Sequence, residues 1–362
     1  MTEKPTALIA MSGGVDSSVA AALMVQRGYD CIGVTMKLRS SSDCACTEKS
    51  CCTADDAEDA RNAAYSMGMK FYVFNFVDEF ERDVIGRFIS AYENGQTPNP
   101  CIDCNRYLKF DRMYRRAREL GIGYVVTGHY ARIQQSETGR WLLLKGPDPQ
   151  KDQSYVLYAM TQEQLAHTQF PLGTLRKEEV RAIAEAQGFV NAKKHDSQDI
   201  CFVPDGDYAA FIRRRTGKTY PEGNFVDPEG HILGRHKGII HYTIGQRRGL
   251  GVSGGRPLYV KEIRSEDNTV VLADDCSLYE RTAIATDFNW IALEAPASPI
   301  RVQARARYHQ PEQDATATVL PDGQVQVTFD HPQRALTKGQ AIVLYQGDVV
   351  VGGGTIVETC KS

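Results

Sequence analysis

Residues 7–18 have the sequence Ala7-Leu8-Ile9-Ala10-Met11-Ser12-Gly13-Gly14-Val15-Asp16-Ser17-Ser18. The apolar run at the start predicts a short buried strand, and the aspartate and serines at the end predict the opening turn of a helix. Gly13 and Gly14 allow the backbone between them to turn tightly and to approach a bound group closely. The N–H groups of such a turn, with the positive end of the next helix, form an anion site. This stretch therefore predicts a strand–turn–helix unit that binds an anion.

The spacing of the polar residues indicates which anion the turn binds. It is not the Walker pattern, because no Gly-Lys-Ser or Gly-Lys-Thr follows the glycines. The order Ser-Gly-Gly-x-Asp-Ser resembles the PP-loop of enzymes that cleave ATP between the α and β phosphates. That resemblance implies formation of an adenylate and release of pyrophosphate. A serine-capped glycine turn without a ligand is the alternative interpretation.

Length and composition bound the class of protein. A chain of 362 residues is long enough for two or three domains. No apolar run approaches the roughly 20 residues that span a bilayer, and no signal-peptide pattern precedes the first strand. We therefore expect a cytoplasmic protein without a membrane anchor. In such a chain the ten cysteines are expected to be reduced, catalytic or metal-binding.

The charge is uneven along the chain. A net charge of −3 argues against a protein that is basic all over but leaves room for a local basic face. One acid, Asp111, accompanies six basic residues in a single stretch: Arg106, Lys109, Arg112, Arg115, Arg116 and Arg118. Two shorter basic runs are Arg213-Arg214-Arg215 with Lys218, and Arg247-Arg248. Each is either a surface for nucleic-acid phosphates or a solvated face.

Strands and helices alternate in the first half of the chain. The predicted elements include strands at 7–10, 31–36, 70–74 and 124–127 and helices at 17–26, 55–67, 79–94 and 107–120. This alternation predicts a parallel sheet covered by helices, with ligands at the carboxyl ends of its strands. Glycine-rich turns follow residue 205, and strands with two-residue alternation follow residue 283. We predict an α/β catalytic domain at residues 1–205, a small β-rich module at 206–278 and a C-terminal β-barrel at 279–362.

Cysteines mark further chemistry. The segment Thr97-Pro98-Asn99-Pro100-Cys101-Ile102-Asp103-Cys104-Asn105 places two thiols three residues apart. Such a pair is a redox couple, half of a zinc site, or a nucleophile with a neighbour, and no second pair at zinc-ribbon spacing exists. Another thiol, Cys201, lies far downstream. Cys44, Cys46, Cys51 and Cys52 form a dense cluster that is a metal site, a redox-sensitive loop or a set of reduced thiols.

With these segments in view, the chain resembles the bacterial tRNA-specific 2-thiouridylases, which place sulfur on the wobble uridine of tRNAs of the Lys, Glu and Gln type. The resemblance runs nearly from end to end and depends on the order and spacing of several motifs. These are residues 12–18, 97–105, 127–130 (Thr-Gly-His-Tyr), 151–155 (Lys-Asp-Gln-Ser-Tyr), 199–202, 243–251, 306–308 and 352–354. It implies a PP-loop fold of the adenine-nucleotide α-hydrolase type and sulfurtransferase activity.

The resemblance also implies roles for particular residues. ATP would lie on a set made of Ala10, Met11, Ser12, Gly13, Gly14, Val15, Asp16 and Ser17, with the adenine near Met36 and Gly128. Asp16 would help to hold Mg²⁺, because hard cations prefer carboxylate oxygen. Cys201 would receive sulfur from a donor protein and carry it as a persulfide, which attacks the activated carbon directly or releases sulfide that attacks. Cys104 would then resolve the disulfide with Cys201. An iron–sulfur cluster at Cys101, Cys104 and Cys201 is the alternative route.

The predicted tRNA contacts come from the same resemblance. Asn99, Pro100 and Cys101 would lie against the target base, which must leave the anticodon stack to reach ATP. The other predicted contacts are His129, Lys151, Asp152, Gln153, Arg307, Tyr308 and Gln346. The helix that contains residues 106–118 would bind phosphates, and we expect a monomer. Two alternatives are a different PP-loop ligase, which would leave the distant cysteines unexplained, and a non-catalytic metal- and RNA-binding protein, which would leave the PP-loop unexplained.

Overall fold

The structure is a computed structural model that describes residues 4–40, 54–193, 200–252 and 255–361. The chain divides into two compact units. The first unit comprises Met1–Val84, Cys101–Pro204 and Asp348–Val350, and the second comprises Ile85–Pro100, Asp205–Gly347 and Val351–Ser362. The predicted limits of three domains cut the chain at other places and stay a prediction.

The regular elements of the described residues are as follows. The helices are α1 (Val15–Gln26), α2 (Ala54–Ser66), α3 (Val77–Phe80), α4 (Gly86–Glu93), α5 (Pro100–Asp103), α6 (Met113–Glu119), α7 (Gln162–Ala166), α8 (Lys177–Ala186) and α9 (Tyr208–Thr216). The strands are β1 (Thr6–Ala10), β2 (Asp30–Lys37), β3 (Lys70–Asn75), β4 (Tyr124–Val126), β5 (Ala131–Gln135), β6 (Trp141–Lys145), β7 (Thr168–Gln169), β8 (Gly223–Val226), β9 (Ile232–His236), β10 (Tyr259–Arg264), β11 (Thr269–Ala273), β12 (Tyr279–Trp290), β13 (Ile300–Arg305), β14 (Gln313–Val319), β15 (Val325–Arg334), β16 (Ala341–Gln346) and β17 (Val349–Cys360).

A parallel sheet forms the centre of the first unit. Its strand order is β3-β2-β1-β4-β7, and every neighbouring pair is parallel. Leu8 and Ile9 of the central strand β1 are fully buried, and the small residues Ala20 and Ala21 of α1 are buried as well. Since both faces of β1 are covered, its apolar run reads as continuous rather than alternating. The predicted α/β class with a PP-loop-type parallel sheet is confirmed.

Two long helices differ from the prediction. A π-helical turn at Glu81–Ile85 joins α3 to α4, and another at Cys104–Arg112 joins α5 to α6. The second helix begins at Pro100, seven residues before the predicted start at residue 107. Proline is favoured at a first helical position because the amide it lacks would have no partner there. Cys101 and Cys104 therefore lie within a helical run rather than in a loop before it.

The second unit contains two β-structures. The central one is a four-stranded sheet in the order β10-β11-β8-β9. The C-terminal one is a barrel in the order β12-β15-β14-β13-β16-β17, which the pairing of β12 with β17 closes. Buried alanines such as Ala285, Ala304 and Ala317 alternate with larger residues inside it, as is typical of a small filled barrel. Both predicted β-structures are confirmed.

Among the described residues, every helix is too short or too polar to cross a bilayer.

Candidate active site

The glycine turn after β1 is fixed by close backbone contacts. Gly13 has a φ of +74°, and a Cβ atom there would lie 2.8 Å from the Cα atom of Asp56. Gly128 follows β4 at the same edge of the sheet, and a Cβ atom there would lie 2.8 Å from the carbonyl carbon of Asp16. A side chain at either position would push the turn or the start of α1 out of place. These glycines are therefore required by packing as well as by any ligand.

Hydrogen bonds hold the turn in one conformation. The Ser17 hydroxyl donates to the Gly14 carbonyl oxygen at 3.0 Å and accepts from the Ser12 amide at 3.2 Å. The Thr35 hydroxyl of β2 donates to the Met11 carbonyl oxygen at 2.6 Å. Within the described residues, the amides of Gly13 and Gly14 have no such partner. They remain available to an anion at the positive end of α1.

The turn and its neighbours bring the predicted ATP-binding residues together. Ala10 ends β1, the next residues form the turn, and Val15, Asp16 and Ser17 open α1. Met36 is half-buried near the end of β2, which pairs with β1 in parallel. The predicted residues thus share the carboxyl edge of the sheet, where ligands of such folds bind. Their individual roles stay predictions.

Asp16 has partners that the sequence analysis missed. The Lys177 ammonium donates to both carboxylate oxygens of Asp16, at 2.7 and 2.8 Å, and the Tyr130 hydroxyl donates to one of them at 2.7 Å. Lys177 is 8% exposed and Asp16 is 29% exposed. Lys177 is the first residue of α8, which packs against α1. Tyr130 belongs to a motif that the sequence analysis quoted, but nothing local marks Lys177, which is 161 positions away.

The same contacts affect whether Asp16 can bind Mg²⁺. Both Asp16 oxygens are engaged by a cation, and a cation that occupies a carboxylate competes with a metal for it. This donor set does not fit a resident Mg²⁺ ion, so we derive no step through one. Binding of Mg²⁺ by Asp16 stays a prediction.

The Lys151-Asp152-Gln153 motif forms a turn that supports Tyr130. The Asp152 carboxylate is buried and accepts hydrogen bonds from the Gly146 amide and from the amide and hydroxyl of Ser154. Gln153 Oε1 accepts a hydrogen bond from the Tyr130 backbone amide at 3.0 Å. The Gln153 backbone amide donates to the Tyr130 carbonyl oxygen, also at 3.0 Å. This motif therefore orients the tyrosine that contacts Asp16. The predicted tRNA contacts of Lys151, Asp152 and Gln153 stay predictions.

His129 lies in an apolar environment. Its ring is 7% exposed and lies 5.7 Å from the rings of both Phe110 and Phe170. Nδ1 is 2.6 Å from the Thr127 hydroxyl. Burial, and to a lesser extent the charge of Lys109, holds the pKa of His129 well below its usual range. The ring is therefore neutral at physiological pH, and its predicted contact with the base or the tRNA stays a prediction.

The segments that carry Cys104 and Cys201 approach the same helix. The π-helical turn that begins at Cys104 packs against α3, and Phe202 contacts Phe80 of α3 edge-to-face with 5.8 Å between ring centroids. The Arg39 guanidinium donates to the Cys201 carbonyl oxygen at 2.7 Å. Both thiols are half-buried, whereas Cys101 is exposed. The two predicted catalytic cysteines therefore belong to one part of the first unit.

The iron–sulfur alternative stays a prediction. Among the described residues, the three ligand atoms that come within 4.8 Å of one another belong to Asp227, Glu229 and His231. That distance suits ligands of a single metal ion, whereas the cysteine sulfurs of an iron–sulfur cluster bind different iron atoms and lie farther apart. The cysteines at 44, 46, 51 and 52 lie outside the described residues.

The predicted tRNA contacts of the second unit lie in and beside the barrel. The Arg307 guanidinium donates to the Ala335 carbonyl oxygen at 2.8 Å and to the Thr337 hydroxyl at 2.9 Å, so it is bound by the protein itself. The Tyr308 ring lies 4.6 Å from that of His309. Gln346 is exposed at the end of β16. Asn99 is half-buried and Pro100 is buried.

The predicted phosphate-binding helix has an exposed end. Arg115, Arg116 and Arg118 on α6 are exposed, whereas Lys109 and Arg112 are half-buried. Arg115 forms an ion pair with Asp111, and Arg116 forms one with Glu119, both at 2.8 Å. The positive charge of this face is thus partly offset by its own acids.

Three family models match consecutive parts of the chain. A family model described as the tRNA methyl transferase HUP domain matches residues 6–205. Models described as the tRNA methyl transferase PRC-barrel domain and the aminomethyltransferase beta-barrel domain match residues 209–274 and 280–356.

Relatives named tRNA-specific 2-thiouridylase MnmA are similar over almost the full chain. The protein of Clostridioides difficile is 50% identical over 96% of this chain and 97% of its own length. The protein of Acetivibrio thermocellus is 49% identical over 98% of this chain and 99% of its own length. That of Clostridium acetobutylicum is 48% identical over 96% of this chain and 98% of its own length.

Proposed function

This chain belongs to the family of tRNA-specific 2-thiouridylases, and we propose that it replaces the 2-oxygen of the wobble uridine of tRNA by sulfur in an ATP-dependent reaction. It is an enzyme, a tRNA sulfurtransferase. One observation carries the proposal. The glycine turn, Asp16 with its partners, and the segments of Cys104 and Cys201 all belong to the unit built on the parallel sheet.

The first step of the proposed reaction is adenylation of the uridine. The carbonyl oxygen at C2 attacks the α phosphorus of ATP, a new P–O bond forms, and the bond to the β phosphate breaks to release pyrophosphate. The amides of Gly13 and Gly14 and the positive end of α1 support this role, because they offer donors to phosphate oxygens. Lys177 adds a buried positive charge at Asp16, in the first turn of α1. Mg²⁺ enters with the nucleotide as part of the substrate.

Sulfur transfer follows in the same site. A donor protein leaves a persulfide on Cys201, and its terminal sulfur attacks C2 of the activated uridine while AMP departs with the original oxygen. The Cys104 thiolate then attacks the inner sulfur of Cys201, so the S–S bond breaks and the thiocarbonyl remains on the base. A Cys104–Cys201 disulfide forms, and an external thiol reduces it. The contacts of both segments with α3 support this pairing.

The remaining parts of the proposal concern partners and domains. The substrate is a tRNA whose anticodon base turns out of its stack, and the exposed arginines of α6 support phosphate binding. We assign residues 1–205 to catalysis, 206–278 to the central module and 279–362 to the barrel, and the limits of the three matching family models support this division. A persulfide donor protein and a monomeric, cytoplasmic state complete the proposal.

Nucleoside mass spectrometry tests the reaction. Unmodified glutamate tRNA is incubated with the full-length protein, Mg-ATP and a persulfide source. We expect 2-thiouridine that depends on ATP. Cys201→Ser should abolish the thiolated nucleoside while tRNA-dependent release of pyrophosphate continues, because adenylation does not need that thiol.

The matched control is Cys276→Ser, which removes an exposed thiol to which we assign no role. It should thiolate like the wild type. Full sulfur transfer by Cys201→Ser would refute the persulfide role. No 2-thiouridine from the wild type, despite bound tRNA and an active donor, would favour a different adenylating ligase.

A further inference from the structure

The chain just before the Cys101–Cys104 pair is anchored in the second unit. Helix α4 ends at Glu93, and residues 94–99 lead from it to Pro100, the first residue of α5. We call residues 93–97 the anchored arm. All of its contacts described below lie within the second unit.

A turn of the barrel holds the last residue of the arm by both backbone groups. The Thr97 amide donates to the Lys338 carbonyl oxygen at 3.1 Å, and Gln340 Nε2 donates to the Thr97 carbonyl oxygen at 2.7 Å. This turn, residues 337–340, is itself fixed to β17. The Gly339 amide donates to the Ile356 carbonyl oxygen at 2.9 Å, and the Ile356 amide donates to the Gln340 carbonyl oxygen at 2.8 Å. Thr97 is therefore tied to a rigid part of the barrel.

Gly339 lets the two backbones approach. Its φ is +87°, and a Cβ atom there would lie 3.0 Å from Cβ of Gln96 and 3.2 Å from the amide nitrogen of Thr97. Neither neighbour is the far end of a flexible side chain, so the arm or the turn would have to move to admit a side chain. Gly339 is thus a point at which a single methyl group displaces the arm.

The central module holds the other end of the arm. The Glu93 carboxylate accepts hydrogen bonds from the Lys218 ammonium at 2.7 Å and the Tyr220 hydroxyl at 2.6 Å. Gly95 packs on Ile263 of β10 so closely that a Cβ atom would lie 3.0 Å from the Ile263 carbonyl oxygen. Contacts from the central module and from the barrel therefore hold the same five residues, 93–97.

We propose that the barrel turn 337–340, through Thr97, positions the Cys104 segment for sulfur transfer. This inference rests on the proposed function, in which Cys104 resolves the persulfide. The chain between Thr97 and Cys104 is short and stiff, because Pro98 and Pro100 each fix φ at about −65° and the helix begins at once. A displacement at Thr97 therefore passes into the helix that carries the thiol. Gly339 and Gln340 are positioning residues, and neither touches the reacting atoms in this proposal.

The first test variant is Gly339→Ala, with Gly323→Ala as its control. Gly323 has a φ of +84° in a barrel hairpin and nothing within 4 Å of its Cβ position, so the control has the same backbone strain without the collision. We expect Gly339→Ala to lower kcat for 2-thiouridine formation about 3- to 10-fold, because the required shift of a few tenths of an ångström is smaller than the roughly 1 Å that costs about 100-fold. KM for tRNA and tRNA-dependent pyrophosphate release should stay within about twofold of the control, because neither requires Cys104.

The second variant separates positioning from steric damage. Gln340→Glu keeps the size of the side chain but removes the donor to the Thr97 carbonyl oxygen. Gln135→Glu is its control, because Gln135 makes the same kind of bond, at 2.9 Å to the Gly139 carbonyl oxygen, in the β5–β6 hairpin. Only Gln340→Glu should lower kcat.

The rate at which iodoacetamide alkylates Cys104, measured by peptide mass spectrometry, reports the environment of the thiol and does not depend on the thiolation reaction. We expect the rate to change about threefold or more in Gly339→Ala and Gln340→Glu, because thiol reactivity follows the local environment. Rates and kcat equal to those of the controls would overturn the inference. Losses of tRNA binding and thermal stability as large as the loss of kcat would also overturn the inference, because such a result indicates a structural role only. If the wild type forms no 2-thiouridine, the proposed function fails, and the alkylation rates alone still decide whether the turn positions Cys104.

Discussion

The ion pair between Asp16 and Lys177 and the ion pairs on helix α6 have nearly the same length but different surroundings. Lys177 and Asp16 are 2.7 Å apart and 8% and 29% exposed. Arg116 and Glu119 are 2.8 Å apart and 56% and 61% exposed. The first pair lies where two helices begin beside the glycine turn, and the second lies on a surface three residues apart along one helix.

This difference in exposure determines what each pair does. An exposed pair contributes roughly 0–1 kcal/mol, because water solvates either charge almost as well as the partner does. Loss of one member of a buried pair leaves a charge that nothing compensates, which is far more harmful. The Asp16 pair is thus costly to break, whereas the ion pairs of the α6 arginines cost little to break. Weak ion pairs of this kind are compatible with the proposed binding of RNA phosphates by α6.

The largest expected effect is that of Lys177→Met. It leaves the Asp16 carboxylate with the Tyr130 hydroxyl but without its cation. We expect the free energy of unfolding in urea to fall by about 2–3 kcal/mol, less than for a fully buried pair because Asp16 is partly exposed to water. Release of pyrophosphate should also be lost, since in the proposed reaction Lys177 supplies a positive charge near the phosphates.

A double-mutant cycle with Asp16→Asn sharpens this test. Asp16→Asn alone leaves a buried ammonium without its anion, whereas the double variant leaves neither charge. The double variant should therefore be clearly more stable than the sum of the two single losses predicts. Additive losses would mean that the two side chains act independently, and the contrast with α6 would fail.

The sequence predicted the glycine turn well and its partners poorly. Gly13, Gly14 and Asp16 are local, so a pattern of a few residues identifies the turn, and the alternation of strands and helices predicts the parallel sheet that supports it. A local sequence pattern cannot identify Lys177, because its contact with Asp16 depends on how α8 packs against α1. The contact forms only when the fold brings together residues 161 positions apart.

The sequence also does not record which partners inside the protein a polar side chain bonds to. Asp152 and Gln153 are polar, and the resemblance implies contact with tRNA, which stays a prediction. The structure adds that their side chains bond to Ser154 and to the Tyr130 amide, which the sequence did not indicate. A polar residue in a turn faces inward when buried amides need an acceptor, and the sequence does not record which amides are buried. The early start of α5 at Pro100 was missed for a related reason, since proline suits both a loop and a first helical turn.

A smaller effect is expected from the double variant Arg115→Gln, Arg118→Gln. If α6 binds phosphates, tRNA affinity should fall about 3- to 10-fold, and the slope of log K against log salt should become shallower by about 1–2. Filter binding at several salt concentrations measures both. Arg181→Gln, which removes an exposed arginine from α8, is the control and should change neither. An unchanged slope in the double variant would identify α6 as a solvated face.

The smallest effect is expected from Arg116→Ala, and it tests the comparison most strictly. Its ion pair with Glu119 is exposed, but its guanidinium also lies 5.8 Å from the centroid of the Phe74 ring. Each contact is worth at most about 0.5–1 kcal/mol at an exposed site, so we expect the free energy of unfolding in urea to fall by about 0.5–1 kcal/mol. Arg115→Ala, which loses only the pair with Asp111, should fall by about 0.5 kcal/mol or less. If Arg116→Ala lowered the free energy of unfolding as much as Lys177→Met does, exposure would not explain the difference between the two regions. The contact of Arg116 with Phe74 would then contribute to stability as a core contact does.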